Sequence, residues 1–190
     1  MIEWCNINEG FASVIISAIS VIIAIVAIFI SFLTARKQNK IVLFEKRFEC
    51  YQRLMELKRF SDFANRFNSF EPQSETNPIY DCQQEYLQIH GVLADERRAQ
   101  LCRVGNMGQK YAMDCLDKDI ELFTSIQMLF GTKKVSSFPA VESALVTLVK
   151  ALFIPKTPSE IKSAQEALLR AFTNAEVCCN SLRCEIKMRH

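Results

Sequence analysis

Histidine is almost missing from this chain of 190 residues, with His90 and His190 the only two, and glycine and proline are scarce at five each. These shortages exclude a good deal. The chain offers no glycine-rich phosphate loop, no nucleophile elbow and no His-Glu-x-x-His helix, so neither enzyme chemistry nor a cofactor is expected. No segment alternates polar and apolar residues between hairpin signals, so no sheet is expected either. Zinc ligands usually come as closely spaced pairs from two segments. Cys178, Cys179 and Cys184 near His190 lack that spacing, and no metal is expected.

Charge is the next absence. From Phe11 to Leu33 there is no charged residue, no glycine and no proline, and the polar side chains there are Ser13, Ser17, Ser20 and Ser31. A helix rising about 1.5 Å per residue makes this run roughly 35 Å long, enough for a hydrocarbon core of about 30 Å. A lone strand in lipid would leave its backbone unsatisfied, so a helix is the single-segment solution. A cleaved signal peptide fits poorly, because the preceding residues carry Glu3 and Glu9 without a Lys or Arg and the apolar run is too long.

The flanks set the expected orientation. Two acids precede the run, whereas Arg36, Lys37, Lys40, Lys46 and Arg47 follow it against Glu45 alone. Positive flanks stay inside, which puts the N-terminus outside and the remaining chain in the cytoplasm. The net charge of +2 conceals this polarity: residues 36–66 hold nine basic and four acidic side chains, residues 67–190 fourteen and fifteen. The five basic residues are therefore expected at an anionic membrane surface, and no direct nucleic-acid binding is expected. Of eight cysteines only Cys5 falls outside. Cys50, Cys82, Cys102, Cys115, Cys178, Cys179 and Cys184 should remain thiols in the cytoplasm, several of them packed as small hydrophobes.

Helical periodicity dominates the rest. The expected fold is all-α: residues 1–10 a short external tail, 11–34 a transmembrane helix, and 35–190 a cytoplasmic antiparallel helical bundle. With no breaker between them, the membrane helix should run on into a stripe of Ile41, Phe44, Phe48, Tyr51, Met55, Leu57, Phe60, Ala64 and Phe67. A loop, Asn68–Asn77, and a short helix, Ile79–His90, follow. Asp95 reads as the N-cap of a long helix reaching Phe130 and closed by Gly131, with a stripe of Leu101, Val104, Tyr111, Cys115, Leu122, Ile126 and Leu129. Within it Gly105 and Gly108 allow a break. Asp114, Asp117, Asp119 and Glu121 form an acidic run, of which Asp114, Asp117 and Glu121 share one helix face; that face reads as solvated and turned to a basic partner, with a cation site as the alternative. A helix from Pro139 to Phe153 is too short for a second span and carries Glu142 and Lys150, so burial is expected, with conditional membrane insertion of 140–154 as the alternative. Thr157-Pro158-Ser159-Glu160 is a capping box. It opens a last helix striped by Ile161, Ala164, Leu168, Phe172, Ala175, Cys179, Leu182 and Ile186.

Ser13, Ser17, Ser20, Ala24, Ala27 and Ser31 recur at steps of four and three along one face of the apolar run. Small residues so spaced let two membrane helices approach closely, so a homo-oligomer is expected. The segment Ile41–Tyr51, with Leu43-Phe44, Lys46-Arg47-Phe48 and Tyr51, resembles a juxtamembrane pattern of small bacterial membrane-anchored helical proteins. Some of these are effectors of anti-phage defence, including those encoded beside retron reverse transcriptases. The resemblance implies no catalytic residues. The expected function is a bacterial, membrane-anchored, non-enzymatic effector or signalling protein that self-associates and perturbs the inner membrane when a cytoplasmic partner or regulator releases or rearranges the bundle. The alternative is a passive anchor or scaffold for a cytoplasmic complex.

Overall fold

The structure is a computed structural model that describes residues 2–71, 77–91 and 105–187, with side chains from residue 13 onward apart from 105–107. Every element among the described residues is helical: α1 Ile2–Ala64, α2 Pro78–Ile89, α3 Gly105–Phe130, α4 Phe138–Phe153, α5 Pro158–Asn174 and α6 Glu176–Lys187. Two compact units divide the chain, Met1–Glu45 and Lys46–His190. In the first, α1 is apolar and long enough to cross a membrane, and its apolar window is wholly exposed.

The expected continuity of α1 holds, because neither Gly nor Pro lies between Gly10 and Ala64. It ends by tightening, as Arg66 N donates to Phe63 O and Phe67 N to Ala64 O. In the second unit α1 buries Leu54, Leu57, Phe60 and Ala64, while Ile41 and Phe48 of the expected stripe stay largely exposed.

The remaining helices start and stop where their sequence chemistry directs. Asn77 caps α2 by accepting from Tyr80 N at 3.2 Å, and Pro78 opens it. Gly91 after α2 and Gly131 after α3 have φ of +69° and +84°, the left-handed conformation that glycine enters most cheaply. The expected cap at Asp95, and Leu101 and Val104 of the α3 stripe, lie outside the described residues; Gly108 sits inside unbroken α3.

The second unit centres on α4, which packs against α3, α5 and α2. It buries Val141, Leu145, Leu148, Val149 and Leu152, so this segment lies in the core of the second unit, as its length and charges lead one to expect.

Two expectations need correction. The last helix is two: Ala175 opens to ψ −1°, and its N–H turns back to Ala171 O and Phe172 O at 3.0 and 3.1 Å. The apolar stripe survives this interruption, since Ala175, Cys179, Leu182 and Ile186 are all buried. On α3 the buried face is rotated from the expected one. It comprises Ala112, Cys115, Leu116, Asp119, Phe123, Ile126 and Phe130, while Tyr111, Leu122 and Leu129 are half-buried.

The capping box at α5 is complete. Thr157 Oγ1 accepts from Glu160 N, and Glu160 Oε2 accepts from Thr157 N at 2.9 Å. That backbone hydrogen bond, followed by Lys156 and the Thr157 hydroxyl, holds the Glu160 carboxyl down at about 2. A depressed carboxyl stabilises the fold above its ordinary value, and this contribution should vanish as pH falls from roughly 4.5 towards 2. Thr157→Ala should cost about 0.5–2 kcal/mol at neutral pH in denaturant unfolding. The cost should shrink in acid, where Glu160 protonates; an unchanged cost at low pH would show that the box is not acting as a unit.

Candidate functional site

In the first unit, Ser13, Ser17, Ser20, Ala24, Ala27 and Ser31 are exposed along α1. Two of the hydroxyls bond within the helix: Ser17 Oγ donates to Ser13 O at 2.9 Å and Ser20 Oγ to Ile16 O at 2.8 Å. Each bond satisfies the hydroxyl hydrogen within the helix itself. Arg36, Lys37 and Lys40 are exposed, and so is Lys46 in the second unit. Arg47 is placed otherwise. Its Nε and Nη2 donate to Leu129 O at 3.2 and 2.8 Å, its Nη1 lies 3.3 Å from Glu185, and its guanidinium stands over the Phe130 ring at 5.3 Å. It is a tertiary contact of the folded domain.

The densest chemistry lies where α1, α2 and α3 meet. Asp119 is 1% exposed, in the middle of the buried face of α3. Its Oδ2 accepts from Tyr86 Oη at 2.8 Å and from His90 Nε2 at 3.0 Å, and Arg53 Nη2 lies 3.5 Å from its Oδ1. Arg53 also bonds His90 Nδ1, the Ile89 carbonyl and Glu56. A guanidinium has donors only, so the imidazole accepts at Nδ1 and donates from Nε2. Both ring nitrogens are thus engaged, and the ring has no free lone pair with which to take a proton from a substrate. The Tyr86 hydroxyl is pushed well above its ordinary value by burial first and by the Asp119 charge second. Tyr86 rests against the Phe60 and His90 rings at 5.3 and 4.9 Å.

Sequence reasoning missed this cluster: it counted Asp119 in the acidic run and put Asp114, Asp117 and Glu121 on a shared solvated face, with no role for Asp119. The other three are indeed exposed. The available signal was spacing: Asp119 stands one turn from Cys115, Leu116 and Phe123, on a buried helical stripe. Its partners come from two distant segments, which no local pattern reveals.

Arg53 also edges an open groove of about 570 Å³ between α1 and α3, lined among others by Lys46, Glu49, Lys118, Glu121 and Leu122. Its charges alternate in sign, so it presents no single-sign field to a ligand. Among the described residues no group of three His, Cys, Asp or Glu side chains could hold a metal ion. Cys50, Cys82, Cys115, Cys178, Cys179 and Cys184 are free thiols. Burial above all pushes Cys82 up to about 12 and Cys115 and Cys179 to about 11, which makes them poor nucleophiles. No family model, curated protein or solved structure matches the chain.

Proposed function

We propose that this chain is a membrane-anchored, non-enzymatic effector or signalling protein. In this reading the apolar part of α1 spans the bacterial inner membrane with its N-terminus outside, and the other helices form an antiparallel bundle in the cytoplasm. The observation that carries it is α1 itself: one unbroken helix holds the exposed apolar run and, further on, the core residues Leu54, Leu57 and Phe60. A rearrangement of the domain by a cytoplasmic partner would reach the membrane through that helix. Self-association along the Ser13–Ser31 seam would then perturb the bilayer, the activity of the anti-phage effectors that Ile41–Tyr51 resembles. The scaffold reading shares the anchor and differs in having no effect on the membrane.

One experiment addresses orientation, assembly and activity together. An impermeant bis-maleimide applied to intact cells should crosslink the wild type through Cys5, and induction should depolarise the membrane. Ser20→Ile with Ala24→Ile fills the small-residue face while keeping the helix apolar, so anchoring should survive and both signals should be lost; a Ser hydroxyl in such a seam contributes up to about 1–2 kcal/mol. Val26→Leu, off the seam, should retain both. Crosslinking without depolarisation under any trigger, phage infection included, would replace the effector by the scaffold. No crosslinking in any variant would remove the seam, the outside N-terminus, or both.

A further inference from the structure

The last carbonyls of a helix have no partner within it and carry the negative end of its dipole. Two of these ends are met by arginines of a single neighbouring helix. Arg47 donates twice to Leu129 O in the last turn of α3, and Arg53 donates to Ile89 O, the last residue of α2. The two arginines stand fewer than two turns apart on α1 and point to different sides of it. Each is fastened further: Arg47 to Glu185 of α6, and Arg53 to His90 of α2 and Asp119 of α3. Asp119 in turn joins α3 to α2 through Tyr86 and His90.

From this geometry we propose that Arg47 and Arg53 form a clamp that makes the order of two helix ends depend on the setting of α1. The forks reach their carbonyls only at one axial and rotational position of α1. A rotation of about 100°, the angle of a single residue, turns both guanidinium groups away at once. The C-terminal ends of α2 and α3 are then uncapped together, and the His90–Asp119 contact loses the arginine beside it. The clamp is a conformational device of the folded domain, and it stands whether or not α1 crosses a membrane.

Hydrogen–deuterium exchange of the full chain in detergent micelles tests it. Arg53→Met should speed exchange in the last turn of α2, and Arg47→Met should do so in the last turn of α3, each by about tenfold, the scale of a lost charge-assisted hydrogen bond. The clamp further requires each substitution to speed exchange, by a factor of about three or more, at the helix end that its own arginine does not touch. Arg59→Met, at an exposed position of α1, should change neither end. If Arg53→Met fails to fold, Arg47→Met decides alone, because faster exchange at Leu87–Ile89 has no local cause in that variant. Effects confined to the near end would mean two independent caps and would overturn the clamp, as would no effect at either end.

Discussion

Asp119→Asn is expected to lower the unfolding free energy by about 3–5 kcal/mol, the usual cost of breaking a buried ion pair from one side. The environment of the carboxylate dictates the size. Tyr86, His90 and Arg53 all present donors to it. Asparagine keeps one acceptor but adds an NH₂ that must face another donor, and it removes the buried one of the Arg53 ion pairs, leaving the exposed pair with Glu56. Tyr86→Phe removes a single donor and should cost about 1 kcal/mol. Asp117→Asn, two residues away on the exposed side of the same helix, should stay within about 0.5 kcal/mol. Thermal and denaturant unfolding of the full chain in detergent would rank the three. Equal, small effects of Asp119→Asn and Asp117→Asn would mean that the α1–α2–α3 junction contributes nothing to stability.

That contrast also marks how far the sequence could be read. The starts and stops of α2, α4 and α5 were legible, because Asn77, Pro139 and the Thr157–Glu160 box act on backbone within a few residues of themselves. The unbroken α1 was legible from the lack of breakers. The face of α3 was not. Two apolar stripes interleave on that helix, and a carboxylate at position 119 counted against the stripe that is in fact buried. An unpaired buried charge is prohibitively costly, so a local reading sends every Asp to solvent. What reverses the sign is a guanidinium and an imidazole delivered from Arg53 and His90, 66 and 29 positions away along the chain. Tertiary proximity supplies the compensation, and periodicity carries no record of it.

The same limit explains Arg47. By composition it belongs with Arg36, Lys37, Lys40 and Lys46 as one more basic residue after an apolar run. By geometry it is bound to the end of α3 and to Glu185 of α6. Arg47 is thus the first of these basic residues to hold the folded domain together. The two compact units divide one residue earlier, between Glu45 and Lys46.

Phe172→Ala should cost a further 3–5 kcal/mol or so, as large-to-small changes of buried aromatics do. Phe172 is 3% exposed and is the last core side chain of α5 before the chain turns at Ala175. The hole would open beside the turn that joins α5 to α6. The short α6 buries Cys179, Leu182 and Ile186, and its further ties include the Ser137–Cys178 hydrogen bond and the ion pairs of Glu185 with Arg47 and Lys134. The loss should therefore appear first as faster amide exchange in α6, with α4 and α5 protected until global unfolding. Asn174→Ala, two residues along and exposed, should stay within about 0.5 kcal/mol and leave α6 exchange unchanged. If Phe172→Ala instead speeds exchange in α4, α5 and α6 alike, the Ala175 turn separates nothing and α5 and α6 unfold as one element. If it costs no more than Asn174→Ala, the face of α5 carrying Leu168 and Phe172 is not the one that the core holds.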